Sequence, residues 1–149
     1  LDLLPMPQDP NVSALGAFNA PFEPARTPFD WLSRDPHEVD KYIADPLCGF
    51  SMNAASMQSI FSAAAPLFAP GALSRIRSDL PIYVFSGDKD PVNGGLAWLK
   101  PLVERYRAAG IKNVTHDFYA DGRHEMLNET NRAEVVAKLG AWIARAASG

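Results

Sequence analysis

The chain has 149 residues, 47% of them apolar, and a formal net charge of −3 from 14 basic and 17 acidic residues. Its length and apolar share suit one core, and its interspersed charges offer no basic stripe to displace counterions from phosphates, so no nucleic-acid partner is expected. The single cysteine, Cys48, cannot close an internal disulfide, which points to a reducing, cytoplasmic setting, and no apolar run of about 18 residues exists to span a bilayer.

From Leu1 to Pro28, prolines at 5, 7, 10, 21, 24 and 28 fix φ and delete backbone donors, which predicts an extended, irregular segment. Asp35, Pro36 and Glu38 then read as N-cap, first helical position and capping-box partner of a short helix with Val39, Tyr42 and Ile43 on its apolar face and Pro46 as its stop. A second helix is predicted over Ala54 to Ala65, limited by Pro66, and Gly71 to Ile76 add a further turn.

After Pro81 the pattern changes. The continuous apolar run Ile82 to Phe85 predicts a strand covered on both faces. A helix follows over Leu96 to Ala109, with Trp98, Leu99, Leu102, Val103 and Tyr106 inward, kinked or started near Pro101 and closed by Gly110. Val114 to Tyr119 is the next strand. Asn131 to Ala147 is the last helix, its apolar stripe made by Val135, Val136, Leu139, Trp142, Ile143 and Ala146. Strand, helix, strand, helix is a parallel α/β unit. Two strands leave an apolar edge and uncovered helix faces, so this fold is expected to be incomplete by itself. The opening at Leu1, with no export segment, adds to the expectation of one piece of a longer protein. The division expected is 1–78, lead-in and helical cap, and 79–149, part of a sheet core.

Catalytic groups in open parallel sheets sit just beyond the carboxyl ends of the strands. Asp90, in the turn after the first strand, and His124, in the loop after the second, both fall there, and a histidine base needs a carboxylate to hold its other ring nitrogen. Asp88 is the rival acid, and a merely solvated acidic turn is the alternative to both. His37, in the first turn of a helix, and His116, inside a strand, read as structural. With three histidines and one cysteine no metal site is expected, and no glycine-rich phosphate loop appears, so no cofactor is expected either. A serine nucleophile on a Gly-x-Ser-x-Gly elbow, upstream of the acid, is missing. The run from Gly49 to Asn53 around Ser51 lacks the second glycine and a preceding strand, and Ser86 reads as a turn residue. The nucleophile is therefore expected before Leu1.

The blocks Phe85 to Val92 and Asp121 to Glu129 resemble the acid turn and histidine loop of α/β-hydrolase fold enzymes of the serine aminopeptidase-like, lysophospholipase and monoacylglycerol lipase group. Phe18 to Phe22, Thr27 to Asp35 and Asp45 to Phe50 resemble its helical cap. The resemblance implies the C-terminal part of a hydrolase sheet with a cap insertion, the acid at Asp90, the base at His124, and ester cleavage through an acyl-serine in the intact protein. The partners it implies are a small ester or lipid-like substrate and the missing N-terminal half of the core, in the same protein or as a docked chain. This chain alone is expected to be inactive. Met52, Met57, Ile60, Phe61, Leu67 and Phe68 suit an acyl-chain pocket, and ordinary cap packing accounts for the same residues. A non-catalytic, hydrolase-like binding module is the competing function.

Overall fold

In a computed structural model, which describes residues 17–148, the chain forms helices α1 (Pro36–Ala44) and α2 (Ala54–Ala64), strand β1 (Ile82–Gly87), helix α3 (Leu99–Ala108), strand β2 (Val114–Tyr119) and helix α4 (Arg132–Ala147). Single 3₁₀ turns lie between them, among them Ala65–Phe68, Ala72–Arg75 and Pro91–Asn93. Of the extended, irregular segment expected from Leu1 to Pro28, residues 1–16 lie outside the described residues, and residues 17–28 are mainly turns and bends with a 3₁₀ turn at Ala20–Phe22.

β1 and β2 pair in parallel, Ile82 opposite Val114 and Gly87 opposite Tyr119. The period-2 alternation of a strand then sorts their side chains to two faces. Ile82, Val84 and Phe118 pack with Val103 and Tyr106 of α3, with Ile111 and Val114 completing that core. On the other face Tyr83 stacks on Trp142 of α4 at 5.4 Å, and Phe85 joins the cluster of Tyr119, Met126 and Val135. Each face thus receives one helix.

The expected both-faced burial of β1 is only half realised, since Ile82 to Phe85 are half-buried. One helix per face covers a two-stranded sheet incompletely, and no further strand pairs with either edge among the described residues. The predicted stripe of α4 narrows for the same reason: Val135 is buried, whereas Val136 and Ile143 are more than half exposed. Ile43 is likewise exposed.

One local expectation changes and another is settled. Asp35 caps α1 by accepting from the His37 N–H, but Glu38 does not close a capping box. The Asp35 N–H is already taken by Ser33 Oγ at 2.9 Å, so Glu38 is left to pair with Lys41 and Arg132. Of the two starts expected for α3, the one near Pro101 is found: the helix begins at Leu99 and not at Leu96, because Gly94, Gly95 and Leu96 all have positive φ, which no right-handed helix tolerates. Pro101 then falls in the first turn, where a missing N–H costs nothing, and Trp98 stays outside the helix and exposed.

What brings the two strand ends together is a backbone-on-backbone crossing. A Cβ placed on Gly87 would overlap the carbonyl of Gly122, and one on Gly122 would meet Met126 Sδ at 2.7 Å. Lys89 N–H donates to Gly122 O at 2.9 Å across the crossing. Gly87→Ala therefore has no room that a side chain can give up. It is expected to destabilise the full-length protein by at least about 3 kcal/mol in urea melts, the upper end for overpacked sites; a cost under about 1 kcal/mol would show that the loops do not cross so closely.

Candidate active site

Asp90 sits in the turn after β1 and caps the Pro91–Asn93 turn, its Oδ1 accepting from the Val92 N–H at 2.8 Å. The residue is 5% exposed. Its Oδ2 accepts from Asn93 Nδ2 at 2.9 Å. From the loop after β2, His124 brings Nδ1 to 3.2 Å from Oδ1 and 3.1 Å from Oδ2. The hydrogen bond to Asp90 is the largest influence on His124 and holds its pKa above the ordinary 6.5, while burial pulls the other way and the charges of Asp90 and Glu125 add to the rise. With Nδ1 engaged, Nε2 is the ring nitrogen left to move a proton, and the imidazole is about one third open to solvent.

The ring is held by a segment distant in sequence. Trp31 packs against it with ring centroids 5.2 Å apart, and the main-chain N–H groups of His124 and Glu125 donate to the carbonyls of Trp31 and Leu32. Trp31 is itself buried, placed by Asn19, whose Oδ1 accepts the Trp31 N–H at 3.0 Å, and by Phe18 beside it. Arg123, next to His124, donates to the carbonyls of Asp30 and Ser33 and lies over the Phe22 ring at 4.2 Å.

Beneath this seam lies Glu129, which has no solvent exposure at all. Its carboxylate accepts from the backbone N–H groups of Arg34, Arg123 and Thr130 and from Arg34 Nε at 2.8 Å. Burial alone would raise its pKa, but the donors of Arg123, Thr130 and Arg34 outweigh that and leave it below the usual 4.5. Ser33 Oγ adds a bond to Asn128 O at 2.8 Å.

The other candidates are placed differently. Asp88 turns away from the histidine, its Oδ1 accepting from the Asp121 N–H at 2.8 Å, so it anchors the histidine loop rather than the ring. Ser86 is buried at the end of β1, its hydroxyl occupied by Asn93 Nδ2 at 2.6 Å and the Gly87 carbonyl. Ser51 lies in an exposed, irregular stretch before α2 with no strand leading into it. His37 is exposed on α1, and His116, exposed on β2, lies against Arg107 and Phe118. Met52 precedes α2, which carries Met57, Ile60 and Phe61, and Leu67 and Phe68 lie in the turn that follows; all but the half-buried Met57 are exposed. A groove of about 630 Å³ beside that turn is lined by Phe68, Leu73, Arg105 and Ala108, and neither Asp90 nor His124 reaches it.

Sequence reading missed Glu129, Arg34, Trp31 and Asn93. Glu129, Arg34 and Trp31 stand in the sequence only as members of longer blocks, and the partners that give them meaning are about 95 residues away along the chain. A usable signal did exist for Asn93, since Asn before Gly-Gly in a strand-to-helix turn is a residue whose side chain bonds local backbone.

The family described as serine aminopeptidase, S33, matches residues 9–131 of the chain. No curated protein matches it. Among solved structures, the crystal structure of a highly thermostable carboxyl esterase from Bacillus coagulans, in complex with glycerol, superposes with a TM-score of 0.77 at 26% sequence identity. The match covers 87% of this chain and 43% of the esterase, so the chain spans less than half the length of that structure. The parallel sheet and its helices are therefore part of an α/β-hydrolase fold.

Removing the Glu129 carboxylate leaves Arg34 and three backbone N–H groups without their acceptor. Glu129→Ala should cost about 3 kcal/mol, the low end for a broken buried pair, because Arg34 keeps some contact with water. Since the folded-state pKa is depressed, this contribution is present above pH 4.5 and is lost as pH falls through the lower folded value. The stability gap between wild type and Glu129→Gln in urea melts should close correspondingly on acidification, and a gap that is constant with pH would refute the assignment.

Proposed function

The chain belongs to the serine aminopeptidase (S33) family, and from that premise we propose that it carries the acid and the base of a hydrolase that cleaves carboxylic esters. The observation that supports this reading best is the contact of a buried carboxylate with His124 Nδ1 at the carboxyl ends of two parallel strands. In this reading residues 1–78 form the lead-in and cap and 79–149 the C-terminal part of the core. A serine nucleophile and the oxyanion hole come from the other half of the core.

His124 Nε2 takes the proton of the serine hydroxyl as its oxygen attacks the ester carbonyl. The tetrahedral intermediate collapses, the alkoxide leaves with the proton returned by His124, and an acyl-serine remains. Water then attacks the acyl carbonyl, losing a proton to the same nitrogen, and the serine departs with that proton to release the carboxylic acid. Asp90 keeps the proton of neutral imidazole on Nδ1 and steadies the imidazolium at each transfer. The substrate class we assign is a lipid-like monoester of the lysophospholipid or monoacylglycerol type, on the support of the apolar side chains from Met52 to Phe68 around α2.

In the full-length protein His124→Ala should lower kcat on p-nitrophenyl acetate at least about a thousandfold. A variant at wild-type rate would refute the base assignment. Because the base works only when neutral, kcat/KM should rise with pH through a midpoint above 6.5, and Asp90→Asn should move that midpoint down by removing the interaction that raises it. An unmoved midpoint in Asp90→Asn would exclude Asp90 as the partner. Across p-nitrophenyl esters of increasing length, kcat/KM should favour medium or long acyl chains, and a preference for acetyl would contradict the lipid-like substrate.

A further inference from the structure

Asn93 is buried in the turn after Asp90, and every polar atom of its side chain is used. Its Oδ1 accepts from the Leu96 N–H at 2.7 Å. A backbone N–H can be met only by the oxygen of an amide, so the orientation of the side chain is settled, and Nδ2 must face the other way. There its two hydrogens go to Asp90 Oδ2 at 2.9 Å and to Ser86 Oγ at 2.6 Å. The same side chain therefore holds the turn that puts Leu96 at φ +73°, a conformation costly for a leucine, and reaches back to the acid.

Asp90 has one fixed donor on each oxygen, the Val92 N–H on Oδ1 and Asn93 Nδ2 on Oδ2. Two donors on opposite oxygens fix the rotation of the carboxylate about its last bond, which keeps both oxygens turned to His124 Nδ1. Without the second donor the carboxylate can swing about the first.

We propose that Asn93 is the positioning residue of the acid, its amide locked by the Leu96 N–H so that its donor side clamps Asp90 against His124. The inference rests on the acid and base roles of Asp90 and His124. Ser86 completes it, because its buried hydroxyl is the acceptor for the second Nδ2 hydrogen.

Asn93→Asp separates this role from loop shaping. It keeps the volume and the oxygen that caps Leu96, and changes the group facing Asp90 and Ser86 from amide donor to carboxyl. Ionised, that carboxyl repels Asp90; protonated, it donates as the amide does. The charged groups of the surrounding loops are Asp121, Arg123, His124, Glu125 and Glu129 on the histidine loop, Asp88 and Lys89 on the acid turn, and Asp30 and Arg34 on the lead-in, where Trp31 presents an aromatic ring. Asp88 is engaged by the Asp121 N–H and Glu129 by Arg34, so the ionisable groups in contact with the Asp90 carboxylate are His124 and the introduced one.

In the full-length protein at pH 8, Asn93→Asp should lower kcat on p-nitrophenyl acetate about a hundredfold with KM within about twofold, the scale of a small misplacement of a catalytic group. Its kcat relative to wild type should then recover as pH falls and the introduced carboxyl takes up a proton. A near wild-type kcat, or a ratio flat with pH, would overturn the proposal. Should Asn93→Asp melt well below wild type, Asn93→Ser supplies a short hydroxyl for the Leu96 N–H without reaching Asp90, and the same loss of kcat without recovery in acid is expected. Wild-type kcat in Asn93→Ser would also overturn it. Failure of the underlying reading is distinct, since that appears as activity retained in His124→Ala.

Discussion

The contact of the Gly87 and Gly122 backbones is the constraint on which the rest of the structure depends. Two loops that leave neighbouring parallel strands diverge unless something lets them touch, and here the absence of side chains on both allows main chain to lie against main chain. Once they touch, Asp90 and His124 are three and two residues from the crossing, close enough for short side chains to meet. The adjoining bonds, Asp88 N–H to Tyr119 O and Asp121 N–H to Asp88 Oδ1, hold the crossing in register.

Around that crossing the polar groups divide into two kinds. Asp90 and its donors form a small set in which both carboxylate oxygens have a fixed donor and face His124. Glu129 and its donors form a second set that fastens the histidine loop to the lead-in segment before α1. The two differ in electrostatic consequence. A carboxylate beside the imidazole raises the pKa of His124, whereas donors aimed at a buried carboxylate lower that of Glu129, so one set favours the protonated imidazole and the other the ionised carboxylate. The lead-in contributes to both, since Trp31 lies against the base and Arg34 against the tie.

How much of this was legible in the sequence follows from how local each feature is. β2 is read residue for residue, and α1, α2 and α4 to within a residue or so, because periodicity, Pro36, Pro66 and the capping residues are signals carried within one turn or strand. The start of α3, expected at Leu96 or near Pro101, falls at Leu99 because the left-handed run from Gly94 to Leu96 is held by the Asn93 side chain, which apolar spacing does not register. Asp90 and His124 could be paired from sequence because parallel topology sends both strand ends to one edge. Glu129 could not, because burial of a charge is decided by donors brought from far along the chain. The apolar faces of α4, expected in the core, and of α2, expected in a pocket or in cap packing, are exposed for the opposite reason: apolar spacing marks a face able to be buried without naming what covers it.

Whether the buried Asp90 carboxylate fixes the His124 imidazole in one tautomer and orientation can be measured directly. Long-range ¹H–¹⁵N correlation of the histidine rings in the full-length protein, at a pH above the His124 titration, reports which nitrogen bears the proton. The proton is expected on Nδ1, with a resonance displaced by its charged acceptor and altered when Asp90 is replaced by Asn. A His124 ring protonated on Nε2, or one indifferent to that replacement, would contradict it.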